Sequence, residues 1–131
     1  MPRPEAKRLL ILGGTGEARA LADAAQRRFD DRVEIISSLA GRTQAPAAIA
    51  GRVRRGGFGG AAGLRAFLEA ECIAALVDAT HPFATTMRSA ARTAAEQAGI
   101  ARVTLGRRPW IPGPGDRWIE VSDAQEAATA V

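Results

Sequence analysis

The 131-residue chain has no tyrosine, one cysteine, one histidine and only 5% aromatic residues. The lone Cys72 cannot close an internal disulfide, and with His81 as the sole histidine a structural zinc site is excluded, so no metal is expected. No apolar run approaches the roughly 18 residues that a spanning helix requires. The opening Met1-Pro2-Arg3-Pro4-Glu5 lacks the apolar stretch and small-residue cleavage site of a secretory signal, so a cytoplasmic protein with no membrane partner is expected. A length of 131 residues fits one domain of ordinary size. With 47% hydrophobic and 24% charged residues the chain can bury a core.

The formal charge is +4, and 17 of the 18 basic residues are arginine. Nucleic-acid readers cluster their cations along one element or interleave them with aromatics. Here the arginines are scattered and the aromatics few, which favours an anionic small molecule and leaves no nucleic-acid partner expected.

Short apolar runs alternate with helical patterns. Arg8 to Leu12 reads as a buried strand ending in a Gly13-Gly14 turn. Between Glu17 and Phe29, Ala18, Leu21, Ala22, Ala25 and Phe29 recur at helical spacing. Arg32 to Leu39 gives a second strand, Ala40 to Ala50 a loop with one irregular turn, and Arg52 to Arg55 a short edge strand. Gly56 to Gly60 is too glycine-rich for regular structure and reads as a flap over a ligand or a flexible connector. Leu64 to Glu71 is the next helix, Ile73 to Asp78 a strand, and Thr85 to Ala98 a helix closed by Gly99. Arg102 to Leu105 and Trp118 to Val121 read as two more strands, and Ser122 or Asp123 as the cap of a final helix. Apolar strands alternating with helices predict an α/β fold: a doubly wound, Rossmann-like parallel sheet in one domain, ordered 3-2-1-4-5.

In such a sheet ligands collect at the carboxyl ends of the strands, near the switch in strand order. Three segments fall there. Gly13-Gly14-Thr15-Gly16-Glu17 opens the first helix, where small residues and free amides suit a phosphate, although Arg19 stands where a dinucleotide fingerprint has its third glycine. The alternative is a turn that only connects strand to helix. Ser37-Ser38, with Arg42 and Thr43, offers hydroxyls and a cation where an enzyme using NADH usually has an acid, which suits the 2′-phosphate of NADPH or else is a solvated turn. Asp78-Ala79-Thr80-His81-Pro82-Phe83-Ala84 packs an acid, a hydroxyl and the only histidine after a buried strand; His81 can move a proton near neutral pH. The competing reading has Asp78 or Thr80 capping a helix and His81 bonding nearby backbone.

Taken as an ordered set, these residues resemble the precorrin-6A reductase family of cobalamin (corrin) biosynthesis. The likeness runs through Leu12 to Ala18, Ser37-Leu39-Gly41-Arg42-Thr43, Gly56 to Gly59 and Gly63-Leu64-Phe67-Leu68. It continues through Asp78 to Ala84, Arg108-Pro109-Trp110 and Gly115 to Trp118. The resemblance implies an NADPH-dependent oxidoreductase acting on a carbon–carbon double bond of precorrin-6A, with residues 1–131 as the NADP-binding part of a longer two-domain enzyme. It places Gly13, Gly14, Thr15, Gly16 and Glu17 at the pyrophosphate, Ser37, Ser38, Arg42 and Thr43 at the adenosine phosphate, and Thr80 and His81, after Asp78, near the nicotinamide. Arg88, Arg108 and Trp110 are candidates for the substrate's carboxylates and ring. An NADP(H)-sensing module without catalysis is the alternative; a short-chain dehydrogenase would require a catalytic tyrosine.

Overall fold

The structure, a computed structural model, describes residues 5–41, 48–108 and 111–130. Arg42, Thr43 and Trp110, named above as ligand contacts, lie outside the described residues.

Five strands form one parallel sheet: β1 (Lys7–Leu12), β2 (Val33–Leu39), β3 (Arg52–Arg55), β4 (Ile73–Asp78) and β5 (Ala101–Thr104). Their order is β3-β2-β1-β4-β5, as the sequence predicts. Among the described residues four α-helices accompany them: α1 (Gly16–Phe29), α2 (Gly60–Ala70), α3 (Thr85–Ala98) and α4 (Ala124–Thr129). Alternate residues of each strand point to opposite faces. Leu10, Leu12, Ile36 and Leu76 therefore meet Leu64 and Leu68 of α2 and Ala91, Ala94 and Ala95 of α3. Ile11 and Ile35 meet Ala18, Ala22 and Ala25 of α1 on the other side. Alanines on the buried stripes of α1 and α3 let these helices lie close to the sheet, and each fully buried leucine or isoleucine adds about 1.5–3 kcal/mol.

One expected element is absent. Trp118 to Val121 forms no strand and is exposed, because it finds no partner on the sheet among the described residues. Asp123 does cap α4, its carboxylate accepting from the Glu126 N–H at 2.8 Å.

The register sets up the site. Leu12 pairs with Ser38 on one side and Asp78 on the other, Ser38 pairs with Arg54, and Asp78 with Thr104. The strands thus end level, and the loops that follow them emerge along a single edge. At the opposite edge Arg8, Glu34, Arg52 and Glu71 form an ion-pair cluster across β1, β2, β3 and the end of α2. The Arg52 guanidinium, through its hydrogen bond, and then Arg8 hold the Glu71 carboxyl below its usual range. No helix of the described residues is long and apolar enough to cross a membrane.

Candidate active site

The turn after β1 is built around Thr15. Gly14 has φ +104°, a left-handed conformation that glycine adopts without a steric cost. Gly13 runs close to β2, where an added Cβ would meet the Leu39 side chain at 3.3 Å. Thr15 is the N-cap of α1: its Oγ1 accepts from the Ala18 N–H at 3.1 Å and donates to the Ala79 carbonyl at 2.7 Å. One hydroxyl therefore ties the glycine turn to the end of β4. Glu17 follows in the first turn of α1, where the positive end of the helix dipole favours an anion.

A cavity of about 140 Å³ lies beside this turn, lined by Gly13, Gly14, Thr15, Gly16, Arg19 and Ser37 among others. Ser37 is 3% exposed, and among the described residues its hydroxyl has no hydrogen-bond partner. A buried hydroxyl left in this state costs roughly 1–3 kcal/mol. Ser38 points the other way, as the pleat requires: its Oγ accepts from Arg54 at 3.4 Å and it lines a separate cavity. The structure thus brings Ser37, but not Ser38, to the cavity beside Gly13–Gly16. Arg19, noted in the sequence only as a missing glycine, stands on that cavity's wall.

Beyond Thr15 a narrower crevice runs between the ends of β4 and β5, lined by Thr15, Glu17, Thr80, His81 and Arg107 among others. Arg107 donates to both Glu17 carboxylate oxygens, at 2.5 and 3.4 Å, joining the loop after β5 to the start of α1. The Arg107 guanidinium, first through this hydrogen bond, holds the Glu17 carboxyl below its usual range. The sequence offers Arg107 and Arg108 side by side, and the structure places Arg107 on the crevice. Arg108 is exposed and lines none of these cavities; only the fold could separate the two neighbours.

Asp78 is fully buried. One of its oxygens accepts from the Thr80 N–H at 3.1 Å and the Thr80 hydroxyl at 2.6 Å, the other from Arg88 Nε at 3.2 Å. The carboxylate cannot touch a ligand without rearrangement; it fixes Thr80 and Arg88, which are both partly exposed. The Thr80 proton is committed to Asp78, so its oxygen is left to the crevice as an acceptor. His81 is exposed, its Nδ1 accepting from the Phe83 N–H at 3.3 Å and its ring stacked on Phe83 at 5.3 Å. That backbone contact is the one the structural alternative foresaw, and it orients the imidazole at the crevice. No cluster of three or more metal-ligating side chains occurs among the described residues.

Comparison with known proteins bears on the family. Residues 8–131 match the family model described as Precorrin-6x reductase CbiJ/CobK. A precorrin-6A reductase from a Sinorhizobium species is 50% identical over 129 residues, covering 97% of this chain and 48% of that protein. The precorrin-6A reductase of Rhodococcus erythropolis is 50% identical over 121 residues, covering 92% of this chain and 48% of its own length. A solved structure named CobK precorrin-6A reductase superimposes with a TM-score of 0.86 at 43% identity, covering 95% of this chain and 49% of that one. The chain spans about half the length of the curated relatives it matches.

Proposed function

Because the chain belongs to the precorrin-6x reductase CbiJ/CobK family, we propose that it is the cofactor-binding domain of an NADPH-dependent reductase, one that saturates a carbon–carbon double bond of precorrin-6A in cobalamin biosynthesis. Residues 1–131 then form the first domain of a two-domain enzyme. The observation that carries the cofactor reading is the buried Ser37 hydroxyl, without a partner among the described residues, on a cavity wall that also holds Arg19 and the glycine turn. An anionic ribose phosphate supplies what those groups lack: acceptors for a hydroxyl and for a cation. The residues present fit an adenine dinucleotide.

Gly13, Gly14 and Gly16 admit a pyrophosphate to the backbone, and the start of α1 supplies amide N–H groups. Ser37 and Arg19 face the ribose phosphate, with Arg42 and Thr43 following β2 in sequence. NADPH, when bound, supplies the hydride. Thr80 and His81 border the crevice on the far side of Thr15, where a nicotinamide half would reach. Thr80 offers an acceptor, and His81 can hold a proton for delivery to the reduced ring. Arg88, steadied by Asp78, and Arg107, steadied by Glu17, carry positive charge suited to acetate and propionate arms. An NADP(H)-sensing module would account for the first cavity, but leaves Thr80, His81 and their buried support without a purpose.

The test is a fluorescence titration of the chain with NADPH and NADH. NADPH binds at least tenfold more tightly; equal affinities would remove the ribose-phosphate argument.

A further inference from the structure

The glycine stretch after β3 has no role in the cofactor site, yet it is neither a free flap nor a slack connector. Arg54 Nη1 donates to the Gly56 carbonyl at 2.7 Å and Nη2 to the Gly57 carbonyl at 2.9 Å. The same guanidinium lies 3.7 Å from the ring centroid of Phe58, which meets Phe67 of α2 edge-on at 5.3 Å. The Gly56 N–H donates to the Leu39 carbonyl at 2.9 Å. Gly63 of α2 presses so closely on the strap that a Cβ there would fall 1.6 Å from the Phe58 carbonyl oxygen. Arg54, Phe58, Gly63 and Phe67 thus form one device that pins residues 56–58 in place.

The pinned strap walls a cavity of about 80 Å³ on the α2–α3 side of the strand ends, bounded by Leu12, Ser38, Ala40, Phe58, Thr80 and Met87 among others. We propose that this cavity seats one uncharged edge of the conjugated macrocycle, an inference that rests on the reductase reading above. Its position supports this. It shares Thr80 with the crevice beside His81 and Gly13 with the cofactor cavity, so a ring held there reaches both. Its chemistry supports it too. Carbon side chains and glycine backbone make up most of its wall and accept a flat carbon framework, and the Nη atoms of the nearby Arg54 are bonded to Ser38 and the strap carbonyls. The acidic arms of the ring then point away, toward the cations outside. A wall fixed before binding spares the ordering cost that a flexible flap would incur. Arg54 is a positioning residue here, acting through residues 56–58.

Steady-state kinetics of the full-length protein test this with two variants. Ala40 is exposed on the cavity rim, so Ala40→Phe fills the space without replacing a core residue. Its KM for precorrin-6A rises at least tenfold, while kcat and the Kd for NADPH stay within twofold. Arg54→Lys keeps the charge but lacks the planar fork that spans both carbonyls and stacks on Phe58, and raises the same KM three- to fivefold. An unchanged KM for the ring in both variants overturns the inference. So does a selective loss of NADPH affinity, which would assign the cavity to the cofactor. A wild-type protein that binds NADPH but leaves precorrin-6A unreduced overturns the reductase reading itself, before any variant is made.

Discussion

Replacing Ser37 by alanine should change stability and cofactor affinity in opposite directions. Ser37 sits near the end of β2 with its hydroxyl buried at the cavity beside Gly13–Gly16 and unbonded among the described residues. A buried hydroxyl without a partner costs roughly 1–3 kcal/mol, and among the described residues the Ser37 hydroxyl has none. Alanine keeps the backbone and Cβ and removes the penalty, while the small void it leaves returns part of the gain. The net expectation is about 0.5–1 kcal/mol of added stability. For a domain of this size that raises Tm by about 2–5 °C. With NADPH present the balance reverses, because the variant lacks one hydrogen bond of about 1–1.5 kcal/mol, so Kd rises about five- to tenfold. Scanning calorimetry without cofactor and fluorescence titration with it measure the two effects on the same preparation. A lower Tm would mean that the hydroxyl is already satisfied in the free protein. An unchanged Kd would mean that it does not face the ligand. Either result refutes the reasoning, and a core serine with no functional role would give the first change alone.

Three further expectations address the groups around that cavity. Asp78→Asn keeps the shape of the buried side chain but faces an amide toward either Thr80 or Arg88, both donors; urea unfolding should show a loss of about 2–4 kcal/mol, less than a fully buried ion pair because water reaches Arg88. In a cycle with Arg88→Met the coupling should be about 1–3 kcal/mol, and a value below about 0.5 kcal/mol would separate the two residues. Glu17 has its folded-state pKa lowered by Arg107, so the stability it lends is present above the ordinary carboxylate value, about 4.3, and disappears as pH falls through the depressed folded value. Arg107→Gln should move the Glu17 midpoint, followed by carboxyl-carbon NMR, upward; an unmoved midpoint would show the pair to be idle. Gly63→Ala should lower Tm by several degrees, although Ala for Gly inside a helix ordinarily gains about 1 kcal/mol, because the new methyl meets the Phe58 carbonyl; a rise in Tm would show that the strap can yield.

The fold was legible because each strand carries its own signal. Leu9 to Leu12, Ile35-Ile36 and Ile73 to Val77 are apolar on both faces, which only a sheet covered on both sides rewards, and helical spacing between them fixes the parallel crossovers. Trp118 to Val121 has the same local composition and forms no strand. Strand-like composition is a statement about neighbours, and those residues find none on the sheet among the described residues.

The site was legible in its loops and illegible in its faces. That Gly13–Gly16, Ser37–Ser38 and Asp78–His81 end adjacent strands follows from order and spacing. Which side each residue serves follows from the pleat, and a strand apolar on both faces gives a sequence reader no phase from which to count. Ser37 and Ser38 read as a pair, yet they part at the sheet: one has no partner among the described residues and faces the cavity beside Gly13–Gly16, the other accepts from Arg54 behind the strap. Arg107 and Arg108 part in the same way, one paired with Glu17 across the crevice and the other facing solvent. The sheet thereby does chemical sorting. It separates a cavity beside α1 that holds the Ser37 hydroxyl, Arg19 and the glycine turn from a more apolar one beside α2 and α3, with Gly13 common to both and Thr80 common to the second and the crevice. A single-residue slip in the register of β2 would exchange Ser37 and Ser38 and turn each hydroxyl to the opposite face. Slipping one way would carry Glu34 into the buried place of Ile35 and slipping the other way would carry Ser37 into that of Ile36, and the cost of burying those polar groups forbids it.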